Sequence, residues 1–334
     1  MRVAITGSIA TDHLMVYPGR FAEHFIADKL DRLSLSFLVD RLDIRRGGAA
    51  ANICFGMGML GLRPALVGAA GHDFADYRSW LERHGVDTGS VRVSQTKFTA
   101  RFLCTTDDYH NQIASFYSGA MAEAREIELA PVAARTGGLD LVVIAPNDPA
   151  AMVRHTEECR DRGYVFAADP SQQLARMTPH EIRTLVTGAT YLFTNEYERD
   201  LLLSRTKWTA GRVLDEVGTW ITTLGEQGAR IESAAGEVRT VTAAKVTAKV
   251  DPTGAGDAFR AGFLAGRSWG LAVDRSAQIG CALASVSLAS LGSQEYEVDA
   301  AGLLARFSAA YGPVAAAEVS PHLPGNIPAA VVGQ

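Results

Sequence analysis

Leu141–Ala145 (LVVIA), Tyr164–Ala168 (YVFAA), Tyr191–Thr194 (YLFT) and Trp220–Leu224 (WITTL) are four short apolar runs rich in β-branched and aromatic residues. Between them lie helical patterns, PAAMVRHTEECRDRG after the first and PHEIRTLVTG after the second. Continuous apolar strands alternating with helices predict βαβ units around a parallel sheet buried on both faces. Val3–Gly7 (VAITG) and Ala65–Ala69 (ALVGA) extend the pattern to six strands of one sheet. The expected class is α/β, a mostly parallel central sheet between two helical layers. Each strand runs into polar residues: Asn147 and Asp148, Asp169 to Gln172, Asn195 and Glu196, then Gly225 and Glu226. Turn formation and helix capping account for any one of them. The set together points to a ligand crevice along the strand carboxyl ends.

Two segments interrupt the alternation, roughly residues 14–46 and 96–121. SLSFLVDRLDIR in the first and TKFTARFLCTTDDYHNQIASFYSGAM in the second mix strand-like patches with polar residues, and Asp107–Asn111 reads as a turn. They are expected to form a small antiparallel sheet, inserted as a lid into a main domain spanning 1–310. Residues 311–334 carry Pro and Ala without periodicity and are expected to be an irregular tail.

The 334 residues are about twice the usual single-domain length, enough for one large α/β domain with an insertion. Hydrophobic residues at 47% and charged residues at 21% describe a globular chain. A net charge of -5 argues against nucleic acid and against a membrane surface as partner. The start, MRVAITGSIATDH, has no signal-peptide pattern, and no run approaches the roughly 20 apolar residues of a membrane span. Cys54, Cys104, Cys159 and Cys281 form no CxxC pair, which fits a reducing, cytoplasmic setting better than a disulfide or zinc framework.

GMGMLG at Gly56–Gly61 matches the dinucleotide fingerprint, but AAANICF before it is helix-like rather than a strand. Helix packing through small residues explains it better. No GxxxxGK[ST] occurs. The strongest signal is DPTGAGDAFRAGFLAG, Asp251–Gly266. Its Thr253-Gly254-Ala255-Gly256 turn opens an apolar-periodic helix, where outward amides and the helix dipole make an anion site. Asp257 follows in the first helical turn, either as a cap or as a base that takes a hydroxyl proton beside a held phosphoryl group. Arg46-Gly47-Gly48-Ala49-Ala50-Ala51-Asn52 places a glycine pair and an Asn at another helix start, suited to close approach of a polyol. Ser8 and Asp12, after the first strand, offer a carboxylate for vicinal hydroxyls or a cap for the next element.

GGAAAN and DPTGAGDAFRAGFL together resemble the paired signatures of the ribokinase/PfkB family of sugar and nucleoside kinases, from Val3 to about Phe307. SIATDHLM, PGRF, SLSFLVD, DFADYRSWL, TARFLCTTD, ASFYSGAMAEAR, FAADPSQQLARM and YLFTNEYE look closest to the actinobacterial adenosine kinases within it. The resemblance implies a ribokinase-like three-layer fold whose β lid closes over substrate. It implies Asp257 as catalytic base, with Gly254, Ala255 and Gly256 as the anion hole. Asn195 and Glu198 match the element that orders Mg²⁺, although Glu198 also suits a surface i,i+4 pair. Thr223, Gly225 and Gly228 match the segment over ATP; Ser8, Asp12, Gly48 and Asn52 match the ribose-holding positions. Asp251 resembles the position for a monovalent cation such as K⁺.

Phe102 and Phe116 on the lid, with Tyr117 and Met121 behind them, can sandwich a purine or fill a lid core. Gln172 and Gln173 would read the base edge, and Phe37 would join the same pocket, from this chain or a partner subunit. With these residues, the resemblance implies adenosine and ATP as substrates, in a purine-salvage reaction giving AMP and ADP. A ribokinase- or fructokinase-like sugar kinase is the alternative, and a non-catalytic nucleoside sensor the third reading. Exposed edge strands in the lid suggest a homodimer.

Overall fold

Alternate residues of the inner strands enter two different cores, as a sheet covered by helices on both faces requires. The computed structural model describes residues 1–24, 35–246 and 248–325. Its strands are β1 (Val3–Thr6), β2 (Ala10–Tyr17), β3 (Arg41–Gly47), β4 (Ala65–Ala70), β5 (Asp87–Val93), β6 (Ala100–Asp107) and β7 (Gln112–Tyr117). There follow β8 (Leu141–Ile144), β9 (Phe166–Ala168), β10 (Tyr191–Asn195), β11 (Thr219–Thr223), β12 (Ala229–Ser233) and β13 (Val238–Val241).

The larger sheet has the order β13-β12-β11-β10-β9-β8-β1-β4-β5. Only its β11–β12 and β12–β13 pairs are antiparallel. Val3 and Ile5 of β1, Val143 of β8 and Phe193 of β10 join one core with the helices Ala49–Met59, Ala255–Ser268 and Val273–Ser287. Ala4, Val142, Ile144, Leu192 and Trp220 point the other way, toward the helices Pro149–Arg162, Pro179–Val186 and Glu196–Thr206. This is the mostly parallel α/β sheet that the apolar runs predict, in the three-layer form that the family resemblance implies.

β5, β12 and β13 were not legible as strands. DTGSVRV is too polar, and ARIES and VRTV are too short and charged, for a pattern of buried runs; β5 and β13 are the two edge strands, and β12 lies next to the edge, between β11 and β13. GMGMLG sits mostly in the helix Ala49–Met59, and a Cβ on Gly58 would come within 1.8 Å of the His84 carbonyl oxygen. Close helix packing is the use of those glycines.

The two interrupting segments meet in a four-stranded sheet of order β3-β2-β6-β7. The expectation of a purely antiparallel lid needs correcting. β2–β3 and β6–β7 are antiparallel, but β2 and β6 run parallel over Ala10–Tyr17 and Ala100–Asp107. Both strands leave the same edge of the main sheet, after β1 and after β5, and so travel outward in one direction. β2 also begins at Ala10, earlier than the predicted Leu14. Of the SLSFLVD patch, residues 35–40 carry no strand, and residues 25–34 lie outside the described part. The Asp107–Asn111 turn is closed by Asp107 Oδ1, which accepts from the Tyr109 and Asn111 amides at 2.9 and 2.8 Å.

The tail is corrected too. Pro313–Val319 is a helix, started by Pro at its first turn after Gly312, and Ala315, Ala316, Val319 and Leu323 are buried in the first core. Alanines hid this helix because they give no periodic apolar contrast. Residues 326–334 lie outside the described part. No helix among the described residues is long and apolar enough to cross a membrane. If the segment is integral to the core, Leu323→Ala should cost about 2–5 kcal/mol in urea unfolding, as for other large-to-small changes at buried sites; an unchanged midpoint would return it to the status of a tail.

Candidate active site

The carboxyl ends of the parallel strands face two cavities of about 560 and 680 Å³. Thr223, at the end of β11, and Gly256, in the first turn of the helix Ala255–Ser268, line both. The cavities therefore adjoin at one helix mouth.

That mouth is built by close approach. Gly254 caps the helix with φ +78°, and a Cβ there would stand 2.5 Å from the Ser293 Cβ. No side chain caps the helix through Gly254; the Ala255 amide makes a long 3.3 Å bond to the Pro252 carbonyl, while the Gly256 and Asp257 amides remain available to an anion. Asp257, third in the helix, lines the larger cavity. It is not the cap that one reading of the sequence allowed: its Oδ2 accepts from Asn52 Nδ2 at 2.8 Å. Burial pushes its carboxyl above the ordinary aspartate value and Glu198 adds to the rise, while Arg260 and the Asn52 hydrogen bond pull it back.

Asn52 is itself fixed. Its Oδ1 accepts from Ser293 Oγ at 3.1 Å and from Gln294 Nε2 at 2.8 Å, and the Tyr77 hydroxyl beside Gln294 donates to the Gly47 carbonyl at 2.8 Å. One turn past Asp257, Arg260 makes a buried two-point ion pair with Asp169 after β9, at 2.5 and 2.6 Å. Burial works against the guanidinium, but Asp169, Glu198 and Asp257 outweigh it and hold Arg260 above its ordinary pKa. Arg260 was missed in the sequence, although a lone arginine inside the apolar run DAFRAGFL was its signal.

The larger cavity gathers most of the predicted acceptor residues. Ser8, Asp12, Gly48, Asn52, Phe102, Phe116, Met121, Gln172 and Gln173 line it, together with Asn195, Glu198, Thr223, Gly254 and Gly256. Ser8 also caps, since its Oγ accepts from the Ala49 amide at 2.9 Å. Gly48 has φ +95°, and a Cβ there would meet the Ser8 carbonyl oxygen at 2.6 Å, so chain and helix start touch. Burial raises the Asp12 carboxyl to about 6, opposed by Arg45 and reinforced by Asp251. Phe102 and Phe116 are cross-strand partners on β6 and β7, both facing the cavity; the lid's own core is Ala10, Ala100 and Met121.

Glu198 is no surface-pair residue. It is 9% exposed, Oε2 accepts from the Asn195 amide at 2.8 Å and Oε1 from Ser171 Oγ at 3.2 Å. Asn195 answers by accepting from the Glu198 amide, which closes a capping box. Gly225 and Gly228 line the smaller cavity with Thr223, Ala255 and Gly256. Lys245 and Lys249 also line it and were not singled out in the sequence. They sit in VTAAKVTAKV, a stretch without motif or period.

Two predicted residues fall elsewhere. Phe37 does not line the cavity in this chain; it packs on Tyr17 and Phe21, with ring centroids 5.1 and 4.9 Å apart. Tyr117, opposite Arg101, is exposed rather than behind Phe116. No group of three or more His, Cys, Asp or Glu side chains among the described residues could hold a metal ion unaided.

The arrangement can seat an anion at the helix mouth with a carboxylate beside it and a polar, aromatic-walled space next door. Known proteins with this fold agree in sequence as well. The chain is 32% identical over 289 residues to a nucleoside kinase of Methanothermobacter thermautotrophicus, covering 85% of this chain and 92% of the relative. It superposes on the nucleoside kinase of Burkholderia thailandensis in complex with inosine with a TM-score of 0.80 and 33% identity, over 93% and 98% of the two chains. A ribokinase of Thermotoga maritima, at 20% identity, shares the fold with a TM-score of 0.74 over 92% and 99%. Since the pfkB family carbohydrate kinase model matches residues 7–300, which contain the whole of this crevice, the chain belongs to the pfkB family of carbohydrate kinases.

Proposed function

We propose that the chain transfers the γ-phosphate of ATP to the 5′-hydroxyl of a nucleoside, and that adenosine is its principal acceptor. The observation that carries this reading is the position of Asp257 in the larger cavity, beside the helix mouth shared with the smaller one. Asp257 takes the hydroxyl proton, the freed oxygen attacks the γ-phosphorus in line, the bond to the β-phosphate oxygen breaks, and ADP leaves. The amides of Gly254, Ala255 and Gly256 meet the charge that develops on the transferred group. Arg260, held by Asp169, supplies a fixed positive charge beside Asp257. ATP lies in the smaller cavity over Thr223, Gly225 and Gly228, with Lys245 and Lys249 toward its anionic part.

Asn195 and Glu198 would hold Mg²⁺ together with phosphate oxygens. Each of their oxygens already accepts one hydrogen bond, so each offers one remaining lone pair, and the phosphates would complete the shell of an ion that neutralises their charge when bound. On the acceptor side Asp12, Gly48, Asn52 and Ser8 grip the ribose. Phe102 and Phe116 stack on the base, a contact worth about 1–3 kcal/mol per base. That aromatic pair, next to Gln172 and Gln173, favours a nucleoside over a free sugar, as does the likeness to nucleoside kinases. Leu42, Ile44 and Ile113 leave apolar surface exposed on the lid, and we assign it to a homodimer contact.

Turnover of Asp257→Asn should fall by at least ~10²-fold with nucleoside affinity nearly kept by calorimetry, the span of a positioned general base; near-normal turnover would remove Asp257 from the mechanism. Because the base acts as a carboxylate with its pKa raised above 3.8, kcat should be flat at high pH and fall as pH drops through that raised value. A limb at or below the ordinary aspartate value would contradict this. In ADP-release assays adenosine should outrun inosine, ribose and fructose, and Phe102→Ala or Phe116→Ala should raise the adenosine KM about 10-fold, as loss of one stacked base would. Preference for a free sugar would establish the sugar-kinase alternative.

A further inference from the structure

Asp251, the position that resembles a monovalent-cation ligand, has its carboxylate engaged on both oxygens. Oδ1 accepts from the Thr253 amide at 2.9 Å and Oδ2 from the Gly292 amide at 2.9 Å. The remaining approach to Oδ2 is taken by the Arg45 guanidinium, with Nη1 at 3.5 Å. Arg45 belongs to β3 of the lid sheet, directly opposite Asp12 on β2. Its stem lies over Gly292, where a Cβ would come within 3.3 Å of Arg45 Cδ. Neither side chain is free in solvent: Arg45 is 17% exposed and Asp251 14%.

These contacts do not suit a bound K⁺. Such an ion wants carbonyl and carboxylate oxygens turned toward it. Here the carboxylate faces two N–H donors and a positive charge that would repel a cation beside it. The same contacts do suit a joint. Asp251 leads through Thr253 into Gly254–Gly256, the anion-binding turn, while Gly292 leads into Ser293 and Gln294, which fix Asn52. An arginine on the lid therefore contacts a carboxylate that ties both segments together.

We propose that Arg45 is a positioning residue that supplies from within the chain the positive charge a monovalent cation would bring, so that the enzyme needs no K⁺ to hold its anion-binding turn in place. The proposal rests on the kinase reading of that turn. Guanidinium nitrogens approach Asp251 from the lid, so the turn and the lid strands beside Asp12 are held as one unit. Removing the charge loosens the turn without touching the substrate.

The test compares wild type, Arg45→Met and Arg45→Lys in KCl and in choline chloride at equal ionic strength, reading kcat, KM and melting temperature. Wild type should show the same kcat and the same melting temperature in both salts. Because Arg45 also holds down the Asp12 carboxyl, raised to about 6, the comparison is made at pH 9, well above that value; there Arg45→Met should lose about 10-fold or more in kcat in choline chloride with little change in the nucleoside KM, the scale of a small misplacement of positioning groups. It should regain rate with added K⁺ or guanidinium ion, and Arg45→Lys should keep more of the rate than Arg45→Met. Wild-type enzyme that is stimulated or stabilised by K⁺ over choline overturns the proposal, and so does a folded Arg45→Met with wild-type rate. Should Arg45→Met not fold, the wild-type comparison alone decides. A wild-type enzyme with no phosphoryl transfer in either salt is a failure of the kinase reading, and its melting temperatures then judge the cation question.

Discussion

A carboxylate beside a helix mouth open to an anion is an unfavourable neighbour for one, and the structure is organised around keeping Asp257 there. Asp257 cannot move away, since Asn52 grips it and Asn52 is gripped in turn by Ser293 and Gln294. It cannot be neutralised by collapse onto the nearby arginine either, because Arg260 is committed to Asp169. Holding two acids and one guanidinium in a partly closed crevice costs desolvation, which ion pairing and hydrogen bonds repay only with good geometry. The three layers of the fold provide it: a parallel sheet sends β9, β10 and β11 to the same edge, and two helices from distant parts of the sequence meet across that edge.

The two cavities follow from the same constraint. The open helix mouth leaves room on both of its sides. Gly256 and Thr223 border both spaces. Gly254, bent to φ +78° against Ser293, lets the turn sit close enough to the Asn52 segment for the acid and the amides to share one approach. The lid sheet then adds what the main sheet lacks, an aromatic wall from Phe102 and Phe116 and a cavity-lining acid at Asp12.

Much of this was readable from residues. The inner strands announce themselves because burial on both faces leaves no polar positions, and DPTGAGD announces itself because a glycine turn, an apolar helix and an acid rarely coincide without cause. What escaped was of two kinds. Marginal strands such as β5 and the alanine-rich helix Pro313–Val319 lack contrast between faces, so period carries no information. Residues whose meaning comes from a distant partner also escaped: Arg260 needs Asp169 to be interpretable, and Arg45 needs Asp251. Phe37 shows the reverse error, an aromatic assigned to a pocket on type alone that instead packs against Tyr17 and Phe21.

The most direct check of Asp257 as the base is the pH dependence of single-turnover phosphoryl transfer, by rapid quench, in wild type and Asn52→Leu. The Asn52 hydrogen bond lowers the Asp257 pKa, so its loss should move the acidic limb to higher pH while the plateau keeps its shape. A limb that stays where wild type has it would mean that some other group, or none, accepts the hydroxyl proton.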